Sequence, residues 1–553
     1  MSPPSDAVTI RMYRHILGDC FVLTVTRDGK RQVTVIDCGV LQNVKDGATL
    51  AAKLPEAVLN SLDPDKLSAV RDGNDSIRAV VADVISYVKE GKPEGAVDVL
   101  VVTHEHFDHI SGFALASELW MDLGLEIRQL WMAWTEKPED DPALRDLREG
   151  MLASKRAIQK TAIAADFLGA AGDSEEMAAV KALADFLGPM DDPHLAAAGG
   201  IPSTAQTMRM LKEKVGRQRT RYLEPGEVIA PELGGGLKAY ILGPPHDVRM
   251  IKKDLPSGGP AKEVYLTKAD QAAVVDAGVT QAVYHAQLAA AGNAGSEPTR
   301  APFEAANAKA PFDRTRLRPY VFSKGKRREE IEGESDARRK LRLLYENKAN
   351  DELRIEDEWL AAAESLALKL DSDTNNTSLV IAFELPDAER SILLFAADAQ
   401  VGNWLSWGSQ VYPSSFEGDK PAHQPTETPQ TIDQLLSRVS FYKVGHHASH
   451  NATLRERGLE LMPDGLVAAI PVVETVAKVQ GKGRKEPGRG WQMPFPHLYS
   501  RLEEKTYGRI VRADGDPEIE QQKFNDPTHP PRRPVTVRHD PKNDLWVEIE
   551  FSL

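Results

Sequence analysis

The chain has 553 residues, 41% of them hydrophobic and 27% charged, with a formal net charge of -14. That length allows a large core and more than one domain, while the acidity excludes whole-surface attraction to nucleic acid or anionic lipid and leaves only a local basic groove for a polyanion. Its two cysteines, Cys20 and Cys38, exclude a disulfide scaffold and suit a reducing compartment.

Apolar runs and turn signals predict strands at Val8–Tyr13, Cys20–Thr26 and Gln32–Ile36, the last two joined by a hairpin turn at Arg27-Asp28-Gly29-Lys30. Ile77–Val88 has helical spacing, and Val99–Val102 is a short β-branched run that suits a buried strand. Strand, helix and strand in this order predict a layered α/β domain. From about residue 136 to 219 the composition turns to alanine, leucine and charge, which reads as a helical insertion. Strands resume at Glu227–Ile229 and Leu237–Leu242. A second insertion, about 247 to 370, is polar and reads as helical or partly disordered; it carries the basic run Lys324-Gly325-Lys326-Arg327-Arg328. Further strands are predicted at Ser378–Glu384, Ser391–Ala396, Phe441–Val444 and Leu466–Pro471, and a helix at Pro496–Lys505 leads to Arg509–Arg512. The chain is thus read as a single domain over residues 1–553 with two insertions. No secretory signal and no run of roughly 20 apolar residues is visible, so a soluble, cytoplasmic protein without a membrane partner is expected.

The densest chemical signal is Thr103-His104-Glu105-His106-Phe107-Asp108-His109, between the buried strand and a helical pattern. Alternate residues of an extended chain share a face, so His104 and His106 can grip one ion. Where the chain turns into the helix, Asp108 and His109 point elsewhere and can hold a second. Imidazole and carboxylate together suit zinc, manganese or iron. A chance histidine cluster on a solvent loop is the competing reading. Two further strand ends carry such groups: Asp398 after Ser391–Ala397, and His446 and His447 after Phe441–Gly445. A carboxylate at the end of an apolar strand is costly to bury unless paired or metal-bound.

The run His104-Glu105-His106-Phe107-Asp108-His109 resembles the His-x-His-x-Asp-His signature of the metallo-β-lactamase superfamily. The resemblance implies an α/β fold, the αββα sandwich of that superfamily, and two divalent metal ions, zinc or manganese. Asp37 in Ile36-Asp37-Cys38-Gly39 matches the family's anchoring aspartate, which orients ligands from the second shell of the site. Asp398 matches the bridging aspartate. His446 matches the last ligand, with His447 the runner-up or a donor to the reacting group. Metal ligands are therefore expected at His104, His106, Asp108, His109, Asp398 and His446, with Asp108 and His447 in catalysis. The place of the family's third first-site histidine reads Asn375-Asn376-Thr377, so Asn376 is expected beside the metals and one site should be weak. His246 is a loop alternative for that ligand.

Leu17-Gly18-Asp19-Cys20, Tyr222–Gly226, Leu242–Pro245, Asn375–Leu379 and Val444–Ser449 narrow the resemblance to the soluble hydrolase domain of DNA-uptake competence proteins. That implies a phosphodiesterase or nuclease using a metal-activated water, with nucleic acid or a nucleotide as substrate and Lys324–Arg328 and Lys482–Arg489 as candidate basic patches. The alternatives are hydrolysis of a small carboxylic ester, lactone or thioester and, last, a non-catalytic scaffold. Protein partners are not readable from the sequence.

Overall fold

The computed structural model describes residues 6–14, 17–41, 73–90, 95–122, 124–138, 142–168, 175–189, 201–230, 235–253, 358–413, 429–480, 490–542 and 544–553. By compactness the chain divides into two units. The first comprises Met1–Met151, Asp185–Ala261 and Lys369–Leu553, and the second Leu152–Ala184 and Lys262–Leu368. The second unit draws on both insertions; its described residues are helical, within Pro142–Leu168, Glu175–Leu187 and Glu358–Asn375. The basic runs Lys324–Arg328 and Lys482–Arg489 lie outside the described residues.

The first unit is built on two sheets. One has eight strands in the order β16-β17-β1-β2-β3-β4-β5-β6: β1 (Ala7–Tyr13), β2 (Cys20–Arg27), β3 (Lys30–Cys38), β4 (Gly95–Val102), β5 (Leu125–Ala133), β6 (Thr220–Leu223), β16 (Val535–His539) and β17 (Trp546–Ser552). The other has seven, in the order β15-β14-β13-β10-β9-β8-β7: β7 (Val228–Ile229), β8 (Lys238–Gly243), β9 (Val380–Glu384), β10 (Ile392–Phe395), β13 (Val439–Lys443), β14 (Val467–Ile470) and β15 (Ile510–Arg512). A small ribbon pairs β11 (Val411–Tyr412) with β12 (Gln430–Thr431). In both large sheets, strands that follow a helical crossover pair in parallel: β3 with β4, β4 with β5, β10 with β13 and β14 with β15. This is the connection parallel strands require.

Side-chain alternation sorts the core into layers. Val99, Val101, Leu393 and Phe395 enter one core with Phe21, Phe383 and Phe441, between the sheets. Leu100, Val102, Ile392 and Leu394 face the helices. There α1 (Gly73–Lys89) presents Ile77, Val80, Val81 and Val84 to the first sheet, and α2 (Phe107–Leu115) packs on β3. On the second sheet lie α3 (Val401–Trp407), bearing Trp404 and Trp407, and α4 (Pro496–Thr506). The result is the expected four-layer αββα sandwich.

Most predicted strands hold with ends moved by a few residues. The exceptions are instructive. β5 and β6 fall at the edges of the expected helical insertion, and β16 and β17 lie in the C-terminal tail. β17 returns to pair with β1 over seven residues, Ala7↔Ser552 to Tyr13↔Trp546, so the C-terminus completes the sheet that the N-terminus begins.

Candidate metal centre

Every element that carries a candidate residue ends at the same edge of the sandwich. β3 ends at Asp37-Cys38, β4 runs into Thr103-His104, α2 starts after His106, β10 leads to Asp398 and β13 leads to His446-His447. Close approach is needed here. A Cβ on Gly39 would overlap the Asp108 carbonyl and the His109 nitrogen, and one on Gly112 would overlap Cys38. The Leu17-Gly18-Asp19 segment joins the same packing, with the Asp19 N–H donating to the Asp108 carbonyl at 3.0 Å.

The signature residues are all buried. His106 is extended (φ -106°, ψ 150°) at the head of α2, so His104 and His106 do share one face. His104 Nε2 lies 3.1 Å from His106 Nδ1. Asp108 and His109, in the first helical turn, face a different group: one ligand atom each from Asp108, His109, Asp398 and His447 all lie within 4.8 Å of one another. His447 Nε2 is 2.9 Å from Asp108 Oδ2, and His109 Nε2 is 3.1 Å from Asp398 Oδ2.

The hydrogen bonds around the cluster assign the tautomers. Asp37 Oδ2 accepts from the Thr103 hydroxyl at 2.6 Å and from His109 Nδ1 at 2.8 Å, while its Oδ1 accepts the Thr103 N–H at 2.8 Å. The Thr103 oxygen in turn takes the proton of His104 Nδ1 at 3.1 Å. His447 Nδ1 donates to the Pro471 carbonyl at 2.8 Å. His109 and His447 thus spend their Nδ1 protons away from the cluster and turn Nε2 toward it, while His104 donates from Nδ1 in the same way and turns Nε2 toward His106, the arrangement by which outer partners orient metal-ligating imidazoles.

Beyond these close pairs, several of the cluster's polar atoms form no regular hydrogen bond. Asp108 Oδ1, Asp398 Oδ2, His106 Nε2 and His109 Nε2 are buried without a formed hydrogen bond. Buried polar atoms are seldom left so, and three of these residues, Asp108, His109 and Asp398, belong with His447 to the group whose ligand atoms close to within 4.8 Å, a donor set that fits a cation. The electrostatics agree. Burial holds His104 well below its ordinary pKa, helped by His109 and His106, and burial brings His106 to about 4; both are neutral and carry lone pairs. For His109 burial acts in the same direction, yet Asp398, Asp19, Asp108 and Asp37 override it and raise its pKa well above the ordinary value. Asp398 is held well below the carboxylate range, against burial, by His109 and Lys443.

The strand-end histidines part company. His446, His447 and Ala448 have φ of 45°, 50° and 60°, a left-handed run that costs backbone strain at each residue and is typical of functional turns. It aims the two rings apart. His447 enters the cluster. His446 Nδ1 instead meets the Ser449 hydroxyl at 2.8 Å and the Gln400 amide at 3.1 Å, its Nε2 lies 3.5 Å from the Asn375 amide, and its backbone N–H donates to Asp398 Oδ1 at 2.8 Å.

Asn376 also faces away from the cluster. Its amide donates to the Ile251 and Lys253 carbonyls and its oxygen accepts the Asn403 N–H, all at 3.0 Å. Asn375 is the asparagine nearer the centre: its amide donates to Asp371 Oδ2 at 3.1 Å, and its oxygen has no hydrogen-bond partner. His246 stacks on Trp134 and lies 3.5 Å from Glu224, apart from the cluster. His450 is exposed.

Three residues without a role in the sequence reading stand out. Asp19 and Lys443 form a buried ion pair beside Asp398. Asp371 is a buried carboxyl whose pKa is pushed up to about 8 by burial and by Asp108 and Asp398. Lys443 did carry a signal, a charge ending the apolar run Val439–Tyr442.

Among the described residues, no helix is long and apolar enough to cross a membrane. No curated protein and no solved structure matches the chain. Residues 17–183 match the family model for the metallo-beta-lactamase superfamily, a stretch that contains Asp19, Asp37 and His104–His109 but ends before Asp398 and His447. With that match and the four-layer sandwich, the first unit has a metallo-β-lactamase fold, and the buried His/Asp centre at its edge supports a metal-dependent hydrolase in general.

Proposed function

We propose that the chain is a phosphodiesterase or nuclease that holds divalent metal, zinc or manganese, in this centre. The observation that carries the metal reading is the convergence of buried imidazole and carboxylate atoms of Asp108, His109, Asp398 and His447 from the start of α2 and the ends of β10 and β13. Asp108, His109, Asp398 and His447 would form the fuller site. His104 and His106, with Asp398 shared, would form a second and weaker one. His447 takes the ligand place for which His446 is the sequence candidate, because its Nε2 faces Asp108 while the His446 ring is turned to Ser449 and Gln400.

A divalent ion bound here would supply Lewis-acid polarisation and a water of lowered pKa. The chain's own residues do the rest. Asp37, Thr103 and the Pro471 carbonyl fix the imidazoles. Asp108 keeps Oδ1 free to accept a hydrogen bond from an attacking water. Asp371, neutral near pH 7, adds no further negative charge to a site that must receive an anion. Two ligand groups sharing one carboxylate favour phosphodiester cleavage, in which paired ions can serve the attacking and leaving oxygens, and the competence-type motifs point the same way.

A second reading has its own observation. Phe186 packs on His106 with ring centroids 5.7 Å apart, and half-buried Trp491 stacks on Phe186 at 5.1 Å. That apolar wall, with the acidic chain, suits an ester, lactone or thioester. Metal-loaded protein assayed on bis(p-nitrophenyl) phosphate, single-stranded DNA, a thioester and a lactone separates the two. Chelator-sensitive cleavage of a phosphodiester supports the first, and cleavage of only the carboxylic substrates replaces it with the second.

A further inference from the structure

We propose that Lys443, clamped by Asp19, is a positioning residue for metal binding: it fixes Asp398 with one oxygen turned to the ligand cluster and, as a buried fixed cation, weakens the hold of that cluster on divalent metal. The proposal rests on the metal assignment above. Lys443 closes β13, whose parallel register sets it opposite Phe395 at the end of β10, three residues before Asp398. It is 1% exposed. An ammonium has three protons to donate, and all three are taken: by the Ala397 carbonyl at 2.8 Å, Asp398 Oδ1 at 3.2 Å and Asp19 Oδ2 at 2.5 Å.

The consequence for Asp398 is directional. Its Oδ1 accepts from both Lys443 and the His446 N–H, which leaves Oδ2, bare of hydrogen bonds, facing His109 Nε2. Asp19 is itself immobilised: its N–H donates to the Asp108 carbonyl and its carbonyl accepts the Gly39 N–H, both at 3.0 Å. The lysine therefore ties the end of the second sheet to the loop before β2 in the first.

Burying an ammonium is costly unless its partners are well placed, and a core needing only volume here would be filled by an apolar side chain. What the charge adds is a cation present before any metal arrives. It offsets the mutual repulsion of Asp19, Asp108 and Asp398 in the metal-free protein and repels a divalent ion in the loaded one, since interactions at such range are weakly screened by solvent.

Opposite signs in two variants test this. Zinc and manganese affinities are measured against a graded chelator series, with metal content by mass spectrometry and thermal midpoints of the metal-free proteins. Lys443→Gln keeps a donor for Asp398 but removes the charge, so metal should bind about tenfold more tightly while the metal-free midpoint falls. Asp19→Asn leaves the lysine only Asp398 as a charged partner, so metal should bind about tenfold more weakly. Tighter binding in the first with weaker binding in the second supports the proposal. Affinities that fall together, or stay unchanged, overturn it and leave the metal assignment standing. Wild-type protein that takes up no metal overturns both. Should Lys443→Gln not fold, the charge-balanced Lys443→Gln/Asp19→Asn protein decides: affinity above that of Asp19→Asn supports the proposal, and affinity at or below it overturns it.

Discussion

Replacing Asp37 with asparagine changes one atom and should disable the centre without unfolding it. Asp37 accepts three hydrogen bonds, from the Thr103 N–H, the Thr103 hydroxyl and His109 Nδ1. In Asp37→Asn the amide oxygen can keep the Thr103 N–H, and the hydroxyl can rotate to accept from the new NH2. His109 has no such escape. A donor now faces its Nδ1, so the imidazole must accept there and carry its proton on Nε2, the atom that lies 3.1 Å from Asp398 and 3.7 Å from Asp108. The lone pair intended for the ion is lost. Outer partners of metal-ligating histidines typically contribute about 10- to 100-fold in affinity, or about 1.4 to 2.8 kcal/mol at about 1.4 kcal/mol per tenfold. Because the replacement is isosteric, metal-free stability should fall by only about 1 kcal/mol. Competitive metal titration and thermal melts of the metal-free protein measure the two quantities separately. Wild-type affinity in Asp37→Asn would refute the tautomer argument, and an affinity loss matched by an equal loss of metal-free stability would reduce Asp37 to a structural residue.

His447→Ala should lose about a hundredfold or more in metal affinity, while His446→Ala, which keeps the backbone N–H to Asp398, should stay within about threefold; equal losses would return His446 to the ligand set. Asn376→His should cost about 3 kcal/mol in thermal or denaturant unfolding, from three lost hydrogen bonds at about 1 kcal/mol each, with no gain in metal retention. A gain would mean that residue 376 reaches the ions. For metal-free protein, the folded state keeps a proton on Asp371 up to about pH 8 that the unfolded chain releases near pH 4, so this group lowers stability progressively as pH rises through that window. Asp371→Asn should therefore stabilise the metal-free protein, by more at pH 8 than at pH 5, and a pH-independent difference in midpoint would contradict the raised pKa.

The sequence shows where local chemistry and local pattern coincide. The strand at Val99–Val102 and the His104–His109 run are readable because burial, alternation and ligand spacing all fall within twelve residues. Asp37 and Asp398 are readable as acids that end apolar strands. What is not readable is direction. Nothing in Gly445-His446-His447-Ala448 says that three successive residues adopt positive φ, and it is that turn which sends the second histidine rather than the first into the cluster. Nor does Asn375-Asn376 show which amide faces inward, since this depends on packing against residues 251–253 and 403, far away in the chain. β17 is hidden in the sequence for a related reason: its partner β1 lies more than five hundred residues upstream, and the run Trp546–Ser552 mixes charge with apolar residues because Glu548 pairs with Arg11 and Arg538.

The same long-range dependence sets how an ion at this centre would act on stability. Its candidate ligands come from the ends of β4, β10 and β13 and the start of α2, each backed by the packing of its own element, so the fold brings the carboxylates and imidazoles together without an ion. Lys443 and the proton on His109 offset part of that charge. A divalent ion would replace the proton and satisfy the bare oxygens together, so its binding energy should appear as stability of the first unit. Metal should accordingly raise the thermal midpoint of this unit, and more strongly at pH 8 than at pH 6, because His109 and His447, both with raised pKa, must release protons for the ion to bind. A midpoint that rises equally at both pH values would mean that the ion sits elsewhere.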